Sequence, residues 1–181
     1  MPFPLIMREE SGHLASTPHI RDTAFTIRDY RAADFDCLWR IDQQCFAPGI
    51  AYTQMELSGF ITRRNAITLV GEFQPSATVE SASVDSIAGF VIAHPVRRKY
   101  GRILTLDIVP QARRFGLATQ LMNAAEDRLR TLGCSEIYLE TAVDNEAAVR
   151  LYRKLGYEIL RTLPEYYSSH SLDAFQMGKR L

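Results

Sequence analysis

Two stretches of this sequence hold residues whose surroundings ask for a chemical explanation. The first is Arg113-Arg114-Phe115-Gly116-Leu117-Ala118-Thr119. It lies between an apolar run closed by Pro110 and a long amphipathic segment. Its free amides and the positive end of the coming helix could therefore hold a phosphate. Gly116 and Ala118 keep the backbone approachable. No Gly-Lys-Ser/Thr follows, so the turn is not a Walker-type loop, and it lacks the three glycines of a dinucleotide fingerprint. On these residues alone an ordinary strand-to-helix turn fits as well as an anion site. The second is Glu140, inside Ile137-Tyr138-Leu139-Glu140-Thr141. A carboxylate in an otherwise apolar strand is costly unless it is paired or placed at a wet cleft. Glu140 is therefore either a salt-bridged strand residue or a site residue. The three cysteines, Cys37, Cys45 and Cys134, lack metal-ligand spacing, and no metal is expected.

The elements that must position these residues follow from periodicity. Phe25-Thr26-Ile27-Arg28 alternates like a short strand, and Phe35, Leu38, Trp39, Ile41 and Cys45 form a helical stripe interrupted only by Asp42. Thr53-Gln54-Met55-Glu56 is a capping box that opens a second helix. Strands are expected over 66–73, 87–93 and 103–109, an antiparallel meander. Leu117, Leu121, Ala125, Leu129 and Leu132 then recur at helical spacing, and Gly133 is placed to end that helix in a left-handed cap. A strand over 137–141 follows, making a crossover between two parallel strands. Asp144 or Asn145 caps a helix through Leu155, and two last strands lie over 157–163 and 174–181. The expected fold class is thus α/β (α+β): a mixed, mostly antiparallel sheet of about seven strands with one parallel pair in its middle, flanked by about four helices.

Composition limits the functions available. The chain has 181 residues, 46% hydrophobic and 23% charged, enough for one ordinary domain over 24–181, with 1–23 expected as a flexible arm. Its 21 basic and 21 acidic residues cancel, so no overall field draws it onto nucleic acid. No apolar run approaches the roughly 18–20 residues needed to span a bilayer. The unpaired thiol count and the short, proline-broken start point to the cytoplasm. The basic cluster Arg97, Arg98, Lys99 and Arg102 is expected on a solvated hairpin turn, with an acidic partner or an adenosine phosphate as the sharper alternative.

The wider pattern adds a resemblance. Val109-Pro110, then Arg113-x-x-Gly116-x-Ala118, then Asn145-x-Ala147-Ala148-x-x-Leu151-Tyr152-x-Lys154-x-Gly156-Tyr157 is similar to the GNAT superfamily of N-acetyltransferases from about Phe25 to Leu181, and within it to the ribosomal-protein alanine branch. Ala118 stands where many members carry a second glycine. The resemblance implies acetyl-coenzyme A as cosubstrate, with its diphosphate on the amides of Arg113 to Thr119. It implies that the two parallel strands splay, with the pantetheine arm along the backbone of Leu106, Asp107 and Ile108, and that Asn145 touches the coenzyme.

Acetyl transfer to an amine needs a base to neutralise the nucleophile and an acid for the departing thiolate. By resemblance Tyr152 is the acid, or otherwise an aromatic packed on the sheet, and Glu140 is the base, directly or through water. The stretch Leu163-Pro164-Glu165-Tyr166-Tyr167, followed by Asp173 to Met177, resembles the C-terminal hairpin of protein N-terminal acetyltransferases. There Tyr166 and Tyr167 would line the peptide's entry; the alternative is one ring packed under the hairpin and the other exposed. His170 is expected to be incidental. The expected acceptor is a protein N-terminus of the ribosomal-protein alanine type. A small amine, or a coenzyme-binding module without turnover, are the alternatives. Oligomeric state, and whether 74–86 folds over the cleft, are not readable.

Overall fold

The computed structural model describes residues 25–74, 86–97, 99–167 and 171–181. The expected arm at 1–23, most of the 74–86 loop, and His170 lie outside the described residues. The chain runs β1 (Phe25–Asp29), α1 (Phe35–Cys45), α2 (Gln54–Ile61), β2 (Ile67–Phe73), β3 (Ile87–Arg97), β4 (Tyr100–Ile108), α3 (Leu117–Thr131), β5 (Glu136–Ala142), α4 (Glu146–Lys154), β6 (Glu158–Tyr167) and β7 (Leu172–Arg180). Seven strands form one sheet in the order β1-β2-β3-β4-β5-β7-β6, and all neighbours are antiparallel except β4 and β5.

Each face of the sheet is covered for a sequence-level reason. Leu117, Leu121, Met122, Ala125 and Leu129 fall on one stripe of α3 and are buried against the sheet. Fully burying a leucine contributes roughly 1.5–3 kcal/mol. At Gly101 a Cβ would lie 2.7 Å from Leu129 Cδ1, so glycine lets α3 settle onto β4. On the opposite face Leu38 and Ile41 of α1 and Leu57 of α2 close over Val70, Phe90 and Ile92. The helix ends agree with the capping chemistry. Thr53 Oγ1 accepts from the Glu56 amide while Glu56 accepts from the Thr53 amide, and Gly133 takes φ +86° after α3.

Three strands run well past their expected limits. β3 and β4 close into a tighter hairpin, so Arg102 sits in β4 rather than on the turn. β6 continues through Pro164 to Tyr167 because it is an edge strand, where a missing N–H costs little, and its register with β7 shifts between Leu163 and Tyr167.

Candidate active site

The parallel pair opens soon after it forms. β4 and β5 share only the partners Tyr100–Glu136, Gly101–Ile137 and Arg102–Tyr138. Beyond Arg102, β4 stays paired to β3 but its register shifts between the Ile92–Thr105 and Ala93–Ile103 pairs, leaving Leu104 as a bulge that turns the strand away. From Leu139 to Ala142, β5 pairs only with β7. The wedge between them is one cleft made of two adjoining cavities of about 740 and 510 Å3, which share Cys45, Phe46, Leu106, Asn145, Ala148 and Tyr152. A third cavity of about 860 Å3 lies apart, over β5, β7 and β6, and has no lining residue in common with the cleft.

The larger cavity ends at the start of α3. Arg113, Arg114, Gly116, Ala118 and Thr119 line it, together with Lys154, and no acidic residue does. Gly116 is the N-cap at φ +87° with no side chain capping the helix, so the first-turn amides are left for an external partner. Arg113 Nε donates to the Ile108 carbonyl at 3.0 Å, which ties the turn to the end of β4. Phe115 and Leu117 turn their side chains to the core, so from those positions only backbone can serve the cleft. Asn145 Oδ1 accepts from the Ala148 amide at 3.1 Å, and Asn145 also lines both cavities, so helix cap and cleft wall are one residue.

At the seam stands Tyr152, packed tilted against Tyr157 at 5.8 Å between ring centroids and only 8% exposed. Burial first, then the neighbouring Asp107 and Tyr167, pushes its hydroxyl far above the ordinary phenol range, so it keeps its proton at neutral pH. Asp107 has no exposed surface; Thr105 donates to its Oδ1, and Oδ2 has no partner among the described residues. Burial raises its carboxyl well above the usual range. Asp42, also fully buried, is pushed up to about 6 by burial, opposed by hydrogen bonds from the Tyr52 amide at 2.8 Å and from Gln43 at 3.0 Å. Asp42 thereby pins the loop between α1 and α2, whose Phe46, Ala47, Ile50 and Tyr52 line the smaller cavity.

The smaller cavity carries Glu140 and Asp144 on its wall, with Tyr167 beside them. Glu140 is held on both oxygens. Arg102 Nε donates to Oε2 at 3.0 Å, with Nη2 in ion-pair contact with the same oxygen at 2.9 Å, and Gln176 Nε2 donates to Oε1 at 2.9 Å. Arg102 Nη2 also donates to the Tyr166 hydroxyl at 2.9 Å, and the Tyr166 and Tyr167 rings meet edge to face at 5.1 Å. Burial, with help from Tyr166 and Glu140, pushes the Tyr167 hydroxyl up to about 12.

The model of the acetyltransferase (GNAT) family matches residues 38–157. The chain belongs to the GNAT acetyltransferase family. Its fold, with one parallel pair in a mixed sheet, is that of the family. An N-alpha-acetyltransferase of Sulfurisphaera tokodaii is 33% identical over 88 residues, 48% of this chain and 52% of that protein, so the match spans about half of that relative's length. The structure of Ard1 from Thermoplasma volcanium is 28% identical, with TM-score 0.74 over 87% of this chain and 98% of that one. The ribosomal-protein-S18-alanine N-acetyltransferase of Escherichia coli shares the fold at TM-score 0.71 and 20% identity over 87% of this chain and 94% of its own.

Within this GNAT cleft, the structure brings together the turn at Arg113 to Thr119, Leu106, Asn145, Tyr152, Glu140 and Tyr167. Tyr166 stands beside them through Arg102. Sequence reasoning missed Arg102 and Gln176, which fix Glu140, and missed the side chains of Thr105, Asp107 and Asp42. Only Asp42 left a signal, as the polar break in the α1 stripe.

Proposed function

We propose that this GNAT protein moves the acetyl group of acetyl-coenzyme A to a primary amine, namely the α-amino group of a protein N-terminus. The observation that carries this reading is the single cleft with unlike ends and Tyr152 at their junction. The residues present suit the coenzyme. The uncapped first turn of α3 with Arg113, Arg114 and Lys154 would take its phosphates, and the edge of β4 at Leu106, Asp107 and Ile108, unpaired on the β5 side, would run beside its pantetheine arm. The bound coenzyme supplies an activated thioester.

The chain's own groups then handle protons. Tyr152 keeps its hydrogen until a thiolate needs one, and donates it from the seam of the cleft. A carboxylate has about four lone-pair sites. Arg102 and Gln176 each donate one hydrogen bond to Glu140, one on each oxygen, which leaves lone pairs for a water that carries away the amine's proton. Tyr166 and Tyr167 flank the way in.

Support for a protein N-terminus comes from the name of the Sulfurisphaera relative and from the loop between α1 and α2, which offers the cavity Phe46, Ala47, Ile50 and Tyr52 and no acidic side chain. The ribosomal alanine acceptor is the narrower form of the same proposal. The three cysteines, none of them in a disulfide among the described residues, fit a cytoplasmic setting.

The test is thiol release from acetyl-coenzyme A in the presence of peptides with free N-termini and of small amines. Peptide-only acetylation supports the reading. Acetylation of polyamines or aminoglycosides with inert peptides replaces it, and coenzyme binding with no turnover on any acceptor makes the chain a binding module.

A further inference from the structure

The polar cluster at the acceptor end is lopsided in its hydrogen bonding. Glu140 accepts one hydrogen bond on each oxygen, from Arg102 and Gln176, and Gln176 Oε1 accepts from Arg161 Nε at 2.9 Å. Each of these acceptors has a donor. Not every donor of the cluster has an acceptor. Arg102 uses Nε and Nη2, while Nη1 has no partner among the described residues. Tyr166 accepts from Arg102, so its own O–H points elsewhere, and that hydrogen has no acceptor among the described residues.

Tyr166 keeps that hydrogen, because burial and then the Glu140 charge push its hydroxyl up. The guanidinium is also held still. Glu140 grips it in the plane, and the Tyr138 ring lies 6.0 Å from its carbon. The Arg102 side chain is 30% exposed and Tyr166 40%, so both are reachable from solvent. Arg102 stands where β4 and β5 part, paired with Glu140 of the cleft wall, and Tyr166 reaches it from β6.

Resting on the reading above, we propose that Arg102 and Tyr166 together recognise a carboxylate on the acceptor. The enzyme would then prefer N-termini with Asp or Glu close behind the reacting amine. A spare guanidinium edge beside a phenol O–H fits a carboxylate and repels a second cation. The pairing of Arg102 with Glu140 removes the charge that would otherwise turn an acidic acceptor away.

The experiment compares kcat/KM for two peptides, identical except for Glu or Gln at the second position, with free glutamate as a third acceptor. Wild type is expected to favour the Glu peptide about tenfold or more, mostly through KM, as a charge-assisted hydrogen bond is worth. Tyr166→Phe, which keeps the ring and leaves Glu140 paired, should reduce that ratio several-fold, and Arg102→Met should abolish it. Should Arg102→Met fail to fold, Tyr166→Phe decides.

Equal kcat/KM for the two peptides in wild type overturns the proposal, as does a preference untouched by Tyr166→Phe. Free glutamate used in place of both peptides would keep the carboxylate site and overturn the protein N-terminus instead. If no acceptor turns over, the proposed function fails. The same two peptides titrated onto the chain with coenzyme A by calorimetry still read the preference, and equal affinities sink it.

Discussion

The two ends of the cleft are built from different materials. The end proposed for the coenzyme is mostly backbone: an uncapped helix start at Gly116, the free edge of β4, and small side chains that stay out of the way. The end proposed for the acceptor is a side-chain network in which Arg102, Glu140 and Gln176 come from β4, β5 and β7. Backbone sites tolerate many neighbours and ask only for fold and for small residues. Networks depend on register, and changing one member unsettles the rest. The first should behave as a robust anchor and the second as the place where this chain is particular.

The largest test strikes the junction. Tyr152→Phe removes the proton donor while keeping the ring against Tyr157, and should lower the single-turnover rate about 10²–10³-fold with coenzyme affinity within about twofold. An unchanged rate would leave Tyr152 as packing. Next, Ala118→Glu places an anion at the phosphate end. Juxtaposed like charges cost several kcal/mol, so the coenzyme Kd should rise about 100-fold. A normal Kd would move the phosphates elsewhere.

Glu140→Gln strikes the network. It should slow turnover about tenfold at neutral pH, below the usual range for a base because the group acts through water. An unchanged rate would make Glu140 a brace for Arg102 alone.

The smallest effect lies under the loop that both ends border. Asp42 is raised to about 6 from an ordinary 3.8, so ionising it in the folded chain opposes stability; that cost is absent below about pH 4 and complete above about pH 6. Asp42→Asn should therefore raise Tm by a few degrees at pH 8, on the order of 1 kcal/mol, and by less at pH 4. Equal shifts at both values would deny that Asp42 titrates in this range.

This division also explains what the sequence disclosed. The turn at Arg113 to Thr119, the long helix at Leu117 to Thr131 and the Asn145 cap are local patterns, written in spacing and in glycine, and each stands where its spacing predicts. The splay was implied by resemblance, and its cause, the bulge at Leu104, is a three-dimensional register feature that no residue type announces. Arg102 looked like one more charge of a basic turn. It pairs with Glu140 only because β4 and β5 align Arg102 with Tyr138, two residues before Glu140 on the same face, and a parallel register set by a long crossover is not local information. Gln176 was invisible for the same reason, since its alignment with Glu140 arises from the pairing of β7 with β5.

The most direct measurement is calorimetric titration of acetyl-coenzyme A onto wild type, Ala118→Glu and Glu140→Gln. A cleft divided as described predicts clear binding to wild type, an affinity for Glu140→Gln within about twofold of it, and near loss for Ala118→Glu. No binding to wild type, or equal losses in both variants, would contradict it.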